Sequence, residues 1–167
     1  MTSKRPYHHG NLARVLLDAA ADVIGEVGPA QMSLREVARR SGVSNAAPIH
    51  HFGDKRGLFT ALAAEGFEML AERLRAAREA SGEFLEVGVA YVRFATEHRA
   101  HFDVMFRREL FDADAPEVVA AMRAAAAELY GPAGEMFGER AGGRDAGIFA
   151  WSLVHGLSTL ILTGNLG

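Results

Sequence analysis

The chain has 167 residues, 49% of them hydrophobic and 23% charged, with no cysteine and a formal net charge of −3. That balance fits one folded domain or two small helical ones sharing a core, and it excludes disulfides, thiolate metal sites and cysteine nucleophiles. MTSKRPYHHG at the N-terminus lacks an apolar h-region, and no apolar run reaches the roughly 18 to 20 residues of a membrane helix, so a cytoplasmic protein with no membrane partner is expected.

Taken in order, almost every segment has the helical period. Leu12, Leu16, Ala19, Ala20, Val23 and Val27 lie on one stripe, with Asn11 as N-cap and Gly28-Pro29 as a stop. Ser33 caps a second helix, with Glu36 as its capping-box partner, that runs through Leu34, Val37 and Ala38 to Gly42. Ser44 is expected to cap a third, SNAAPIHHF, where Pro48 falls near the first turn and costs few intrahelical bonds. Asp54 opens a long fourth helix with Leu58, Leu62, Leu70, Leu74 and Ala77 along one side, ending at Ser81-Gly82. Further helices are predicted over 83–98, 100–108, 115–130 and 144–163, with breaks at Asp112–Pro116, Gly131-Pro132 and Gly142-Gly143. Alternating apolar runs are absent, so the fold class is all-α.

Charge is uneven along this series. Residues 1–57 carry eight Lys and Arg against five Asp and Glu, which leaves −6 for the remainder. A basic head on an acidic body suggests a polyanion at one end.

The segment SLREVARRSGVSNAAPIHHF has helix-turn-helix character. Ala38 and Gly42 supply the small residue at the crossing and the glycine at the turn, and Val37 and Val43 can plug the angle between the helices. The N-terminal N–H groups of the third helix would then face phosphate, and Asn45, Ala46 and His50 would face base edges in the major groove. An ordinary αα-corner also accommodates Ala38 and Gly42. The preceding helix, the caps, the basic head and Lys55 just beyond favour DNA.

YHHGNL, the helix ending in EVG, SLREVARRSGVS, and HF followed by DK together resemble the N-terminal domain of the TetR family of bacterial transcriptional regulators. WSLVHGL, with Trp151, His155 and Gly156, is similar to the family branch with a Trp-x3-His-Gly C-terminal domain, as is ATEHRAHFDVMF at 95–106. The resemblance implies a three-helix DNA-binding domain over 1–53 and a helical effector-binding and dimerisation domain over 54–167. It implies phosphate contacts from Ser33, His51 and Lys55, with base reading around Ser44, Asn45, Ala46 and His50. Ile49 stands where the family usually has tyrosine. It donates no hydrogen bond, but it can touch a thymine methyl or pack. The N-terminal arm, with Lys4, Arg5 and Tyr7, would add phosphate contacts.

Other chemistry has less footing. His50-His51 and His8-His9 are adjacent pairs, whereas shared helical ligands sit at i, i+3 or i+4. His98 and His101 are spaced at i, i+3 but fall at a helix junction, where histidine commonly satisfies carbonyls. Neither a glycine-rich phosphate loop nor a nucleophile elbow is present, so no enzyme and no cofactor or metal is expected. Trp151 and His155 share a face as a core pair, a pocket wall, or both. Phe94, Phe102, Met105, Phe106, Phe111, Met122 and Phe137 supply large apolar surface, and of these Phe94, Phe102, Met105, Phe106 and Met122 join Trp151 and His155 as the expected effector pocket. The leading expectation is a ligand-responsive repressor that binds a palindromic double-stranded DNA operator as a homodimer and is released by a small hydrophobic or aromatic effector. The rivals are an all-helical metal- or small-molecule-binding protein that does not touch DNA, and a helical enzyme using His98, His101 or His155.

Overall fold

Caps and glycines divide the chain into helices where the apolar period breaks. The computed structural model describes residues 9–137 and 143–166, with side chains over 12–131 and 145–166. Within it lie α1 (His9–Gln31), α2 (Leu34–Arg40), α3 (Ala47–Phe52), α4 (Lys55–Ser81), α5 (Phe84–Glu97), α6 (Arg99–Met105), α7 (Pro116–Phe137) and α8 (Gly143–Leu162). Among the described residues there is no strand, as the sequence predicts.

Several helix ends fall where the sequence places them. The Ser33 hydroxyl accepts from the Glu36 N–H at 3.3 Å, and Asp54 Oδ1 accepts from the Gly57 N–H at 2.8 Å. Gly42, at φ 66, lets the Val43 N–H reach the Ala38 carbonyl at 3.1 Å and closes α2 in a Schellman motif. Three ends differ. α1 begins before Asn11, so Asn11 is inside the helix, and Gly28 (φ 77, ψ 164) marks a kink after which Pro29 starts another short turn. Ser44 does not cap α3 through its side chain. Only its carbonyl takes part, accepting from the Ala47 N–H at 3.0 Å, and Ala46 occupies the cap position. The helix thus starts later than the sequence suggests, with Pro48 in its first turn. α7 passes through Gly131-Pro132, because a proline forfeits one helical bond without always ending the helix.

Two apolar cores meet on α4. The first gathers Leu16, Ala20, Val23 and Ile24 of α1, Val37 of α2 and Leu58, Phe59 and Leu62 of α4. The second gathers Phe67, Leu70 and Leu74 of α4 with Tyr91, Phe94, Phe102, Met105 and Leu129. Helix α6 joins both, since Val104 belongs to the first core and its neighbour Met105 to the second. Thr60 ties in the loop before α7, its buried hydroxyl accepting from the Asp112 N–H at 2.9 Å.

Candidate DNA interface and effector cavity

Packing of α2 and α3 against α1 and α4 decides which side chains remain available. Val37 and Ala38 are buried, Val43 packs against them, and Pro48 is buried under α3. Ser44, Asn45, Ala46, Ile49 and His50 are exposed, with Ile49 at 55% an unusual hydrocarbon to leave in water. α3 sits hard against α4, because a Cβ at Gly57 would lie 1.9 Å from the Phe52 carbonyl oxygen. Only glycine permits that approach.

His51 is half-buried, and its ring lies 5.7 Å from that of His50, nearly parallel to it. Among the described residues no three His, Asp or Glu side chains converge as a metal site. Lys55 Nζ donates to the Ala30 carbonyl at 3.2 Å and lies 5.4 Å from the centre of the Phe59 ring. Its ammonium is thereby held at the junction of α1 and α4, with protons left for another acceptor. Ser33 is exposed at the start of α2. Arg5, Tyr7, Lys4 and His8 lie outside the described residues, and the side chain of His9 does too.

Much of the basic character of the head is internally compensated. Arg40 bridges Glu26 of α1 (2.6 Å) and Glu36 of α2 (3.0 Å), and Arg39 binds Glu36 at 2.7 Å. The Arg39 hydrogen bond, followed by that of Arg40, holds the Glu36 carboxyl down to about 2. Arg35 and Arg56 are exposed without an ion-pair partner among the described residues, and the motif reading overlooked both. Their availability depends on which acids face α2 and α4, and spacing alone does not give that.

Farther up α4, Glu65 pairs with Arg14 of α1 and lies 3.1 Å from Nε2 of buried His101 in α6. The His101 hydrogen bond first, and then the Arg14 charge, hold the Glu65 carboxyl below its ordinary range against the opposing effect of burial. His98 stands at the α5–α6 junction, where its N–H donates to the Phe94 carbonyl at 2.8 Å.

Beside this link is a cavity of about 280 Å³. Met105, Phe106, Met122 and Trp151 line it, as do Phe67, Leu70, Tyr91, Arg108, Leu129 and Tyr130, which the sequence did not single out. Phe94 is fully buried in the second core, and Phe102 and His155 face a neighbouring groove that Phe106 also lines. Phe111 is core, and the side chain of Phe137 lies outside the described set. Tyr91 joins these parts. Its hydroxyl accepts from Trp151 Nε1 at 3.2 Å and lies 3.0 Å from His155 Nδ1. Burial pushes the Tyr91 hydroxyl well above its ordinary range, so it keeps its proton to donate to His155. Burial also lowers the His155 pKa, which favours the neutral ring that accepts at Nδ1.

The model of the bacterial regulatory proteins of the tetR family matches residues 16–62, and that of the tetracyclin repressor-like C-terminal domain matches residues 84–167. A Rhodococcus sp. RHA1 structure of unknown function is 35% identical, with TM-score 0.80, 98% of this chain and 89% of that one being covered. NalD, the secondary repressor of the MexAB-OprM multidrug efflux pump in Pseudomonas aeruginosa, shares the fold at 21% identity (TM-score 0.60, covering 96% and 89%). The regulator BetI of Rhizobium meliloti (strain 1021) is 35% identical over 108 residues, 65% of this chain and 47% of BetI. The chain spans about half the length of that curated relative, and less of others. With both halves matched in order, the chain belongs to the TetR family of bacterial regulatory proteins.

Proposed function

We propose that the protein is a cytoplasmic repressor that binds a palindromic operator as a homodimer and leaves it when a small apolar effector enters the cavity. The observation that carries this reading is the exposed face of Ser44, Asn45, Ala46, Ile49 and His50, presented by a helix pair whose other face is buried. On this reading that face meets base edges, while Ser33, His51, Lys55, Arg35 and Arg56 meet phosphates and the arm, with Arg5 and Tyr7, adds to them. Residues 1–53 act as the head and 54–167 as the body, with the first turns of α4 lending apolar side chains to the head.

The dimer reading rests on α8. Phe149, Leu153, Leu157 and Leu160 are 64%, 59%, 43% and 44% exposed, at i, i+4, i+8 and i+11 on one face. Asp145–Leu162 is apolar enough to cross a membrane by length and composition, with 11% of it buried. A symmetric partner would cover that stripe, and two copies of one head then read a palindrome.

Effector coupling fits the position of α6. Met105 lines the cavity while Val104 packs in the first core and His101 links through Glu65 to Arg14 of α1. An effector that favours one setting of α6 would shift α1 and the spacing of the two heads, provided it binds the two settings unequally. Footprinting on DNA flanking the gene tests the proposal. Two protected half-sites related by two-fold symmetry are expected, and uniform protection at all positions contradicts it.

A further inference from the structure

The cavity has a one-sided electrostatic character. Its wall is aromatic and aliphatic, and among the described residues no Asp or Glu lines it. The polar atoms of Tyr91 and Trp151 are already committed to each other and to His155. Among the described residues the single formal charge on the lining is Arg108, in the segment after α6, exposed to solvent. Arg14, Arg39, Arg40, Arg73 and Arg99 each hold a carboxylate, whereas Arg108 has no hydrogen-bond or ion-pair partner among the described residues.

A guanidinium without a carboxylate at the rim of an apolar cavity complements one kind of molecule. Its planar fork matches a carboxylate in two parallel bonds, while the wall takes up an apolar body. A cationic ligand would find no acid to pair with and would face the Arg108 charge. The volume, about 280 Å³, falls just below the roughly 300–1,000 Å³ common for ligand sites, which favours a compact body.

We propose that the cavity selects a small amphipathic anion, an aryl or alkyl carboxylate whose apolar body lies among Phe67, Tyr91, Met105, Phe106 and Trp151 and whose carboxylate pairs with Arg108. This rests on the effector reading above and adds the charge and chemical class of the ligand. The apolar body enters first into the wall and the carboxylate stays at the rim, where water still solvates part of it. Selectivity therefore lies in Arg108 and uptake in the aromatic wall.

Trp151 is the only tryptophan of the chain and lines the cavity, so its fluorescence reports occupancy. Phenylbutyrate, phenylbutyramide and phenylbutylamine share one body and differ in charge, and each is titrated into the full chain. Phenylbutyrate should bind about fivefold to tenfold tighter than the amide, with the amine weakest. Arg108→Gln should abolish that preference and leave amide binding within about twofold, because an exposed side chain is lost without altering the wall. Ala126→Phe, which fills the half-buried lining position, should abolish binding of all three. Equal affinity for the three, lost in Ala126→Phe, overturns the anion selectivity alone and leaves the cavity as an effector site. A preference for phenylbutyrate that persists in Arg108→Gln overturns the role of Arg108. No quenching by any probe at millimolar concentration overturns the effector cavity, and this inference with it.

Discussion

Asn45 and Lys55 illustrate how two exposed or half-exposed polar residues on either side of α3 take different proposed roles. Asn45 is exposed ahead of α3 with no hydrogen bond to its amide among the described residues, so it is available to a base edge. Lys55 is anchored to the Ala30 carbonyl and the Phe59 ring, which fixes a charge without any base specificity. Binding of Asn45→Ala to a panel of single-base operator variants should lose about 1–3 kcal/mol of discrimination at particular positions. Lys55→Ala should weaken binding to every sequence and lower the salt slope by about one. Equal losses on every sequence for both variants would contradict this division. His155 gives a second test at the same scale. Burial lowers its folded pKa, so the unfolded chain takes up the proton first: stability is fully present above about 6.5 and is lost as pH falls from there through the folded pKa. Thermal melts should therefore drop between pH 7 and pH 5.5, and His155→Gln, which can still accept from Tyr91, should flatten part of that drop. An unchanged slope in His155→Gln would assign the loss elsewhere. The motif put Ile49, His50 and His51 on α3 and left open whether Ile49 packs, which its exposure answers. The partners of Tyr91 were not, because they lie 60 and 64 residues away along the chain.

The helices were legible largely because their ends are chemical. Ser33, Gly42, Asp54 and Gly82 each leave a backbone signature that sequence rules anticipate. Ser44 departs from those rules since α3 starts only at Ala47 and leaves Ala46 at the cap position, and Pro132 departs since a proline forfeits one helical bond without always ending the helix. The α3–α4 junction separates two effects. Asp54→Ala should lower stability by about 1 kcal/mol in denaturant unfolding through loss of its cap, with operator affinity little changed. Gly57→Ala places a methyl against the Phe52 backbone oxygen, so α3 must shift. It should cost about 1–3 kcal/mol and also reduce operator affinity by at least tenfold, since α3 is the proposed reading element. A Gly57→Ala protein that binds operator as well as the wild type would show that α3 placement does not govern recognition.

On the scale of the whole molecule, periodicity identifies buried faces but not which faces meet. Phe67 and Leu70 of α4, Tyr91 of α5 and Tyr130 of α7 converge on the cavity although their helices are far apart in sequence. Phe94 and Phe102 share the apolar chemistry of the lining yet fill core or a neighbouring groove. The exposed stripe on α8 is the clearest feature that a single copy leaves uncovered. In sedimentation, the double substitution Leu153→Glu and Leu157→Glu should shift the proposed dimer to monomer and raise the operator dissociation constant by at least tenfold. Wild-type protein that sediments as a monomer at micromolar concentration would contradict the dimer.

The most direct test of the account is anisotropy titration of one duplex, chosen from random DNA by the protein itself, against a scrambled duplex over a range of salt. Two protomers should bind the chosen duplex tightly, about a thousandfold or more above the scrambled one at moderate salt, with log affinity falling linearly against log salt. Equal affinity for the two duplexes at moderate salt would contradict it.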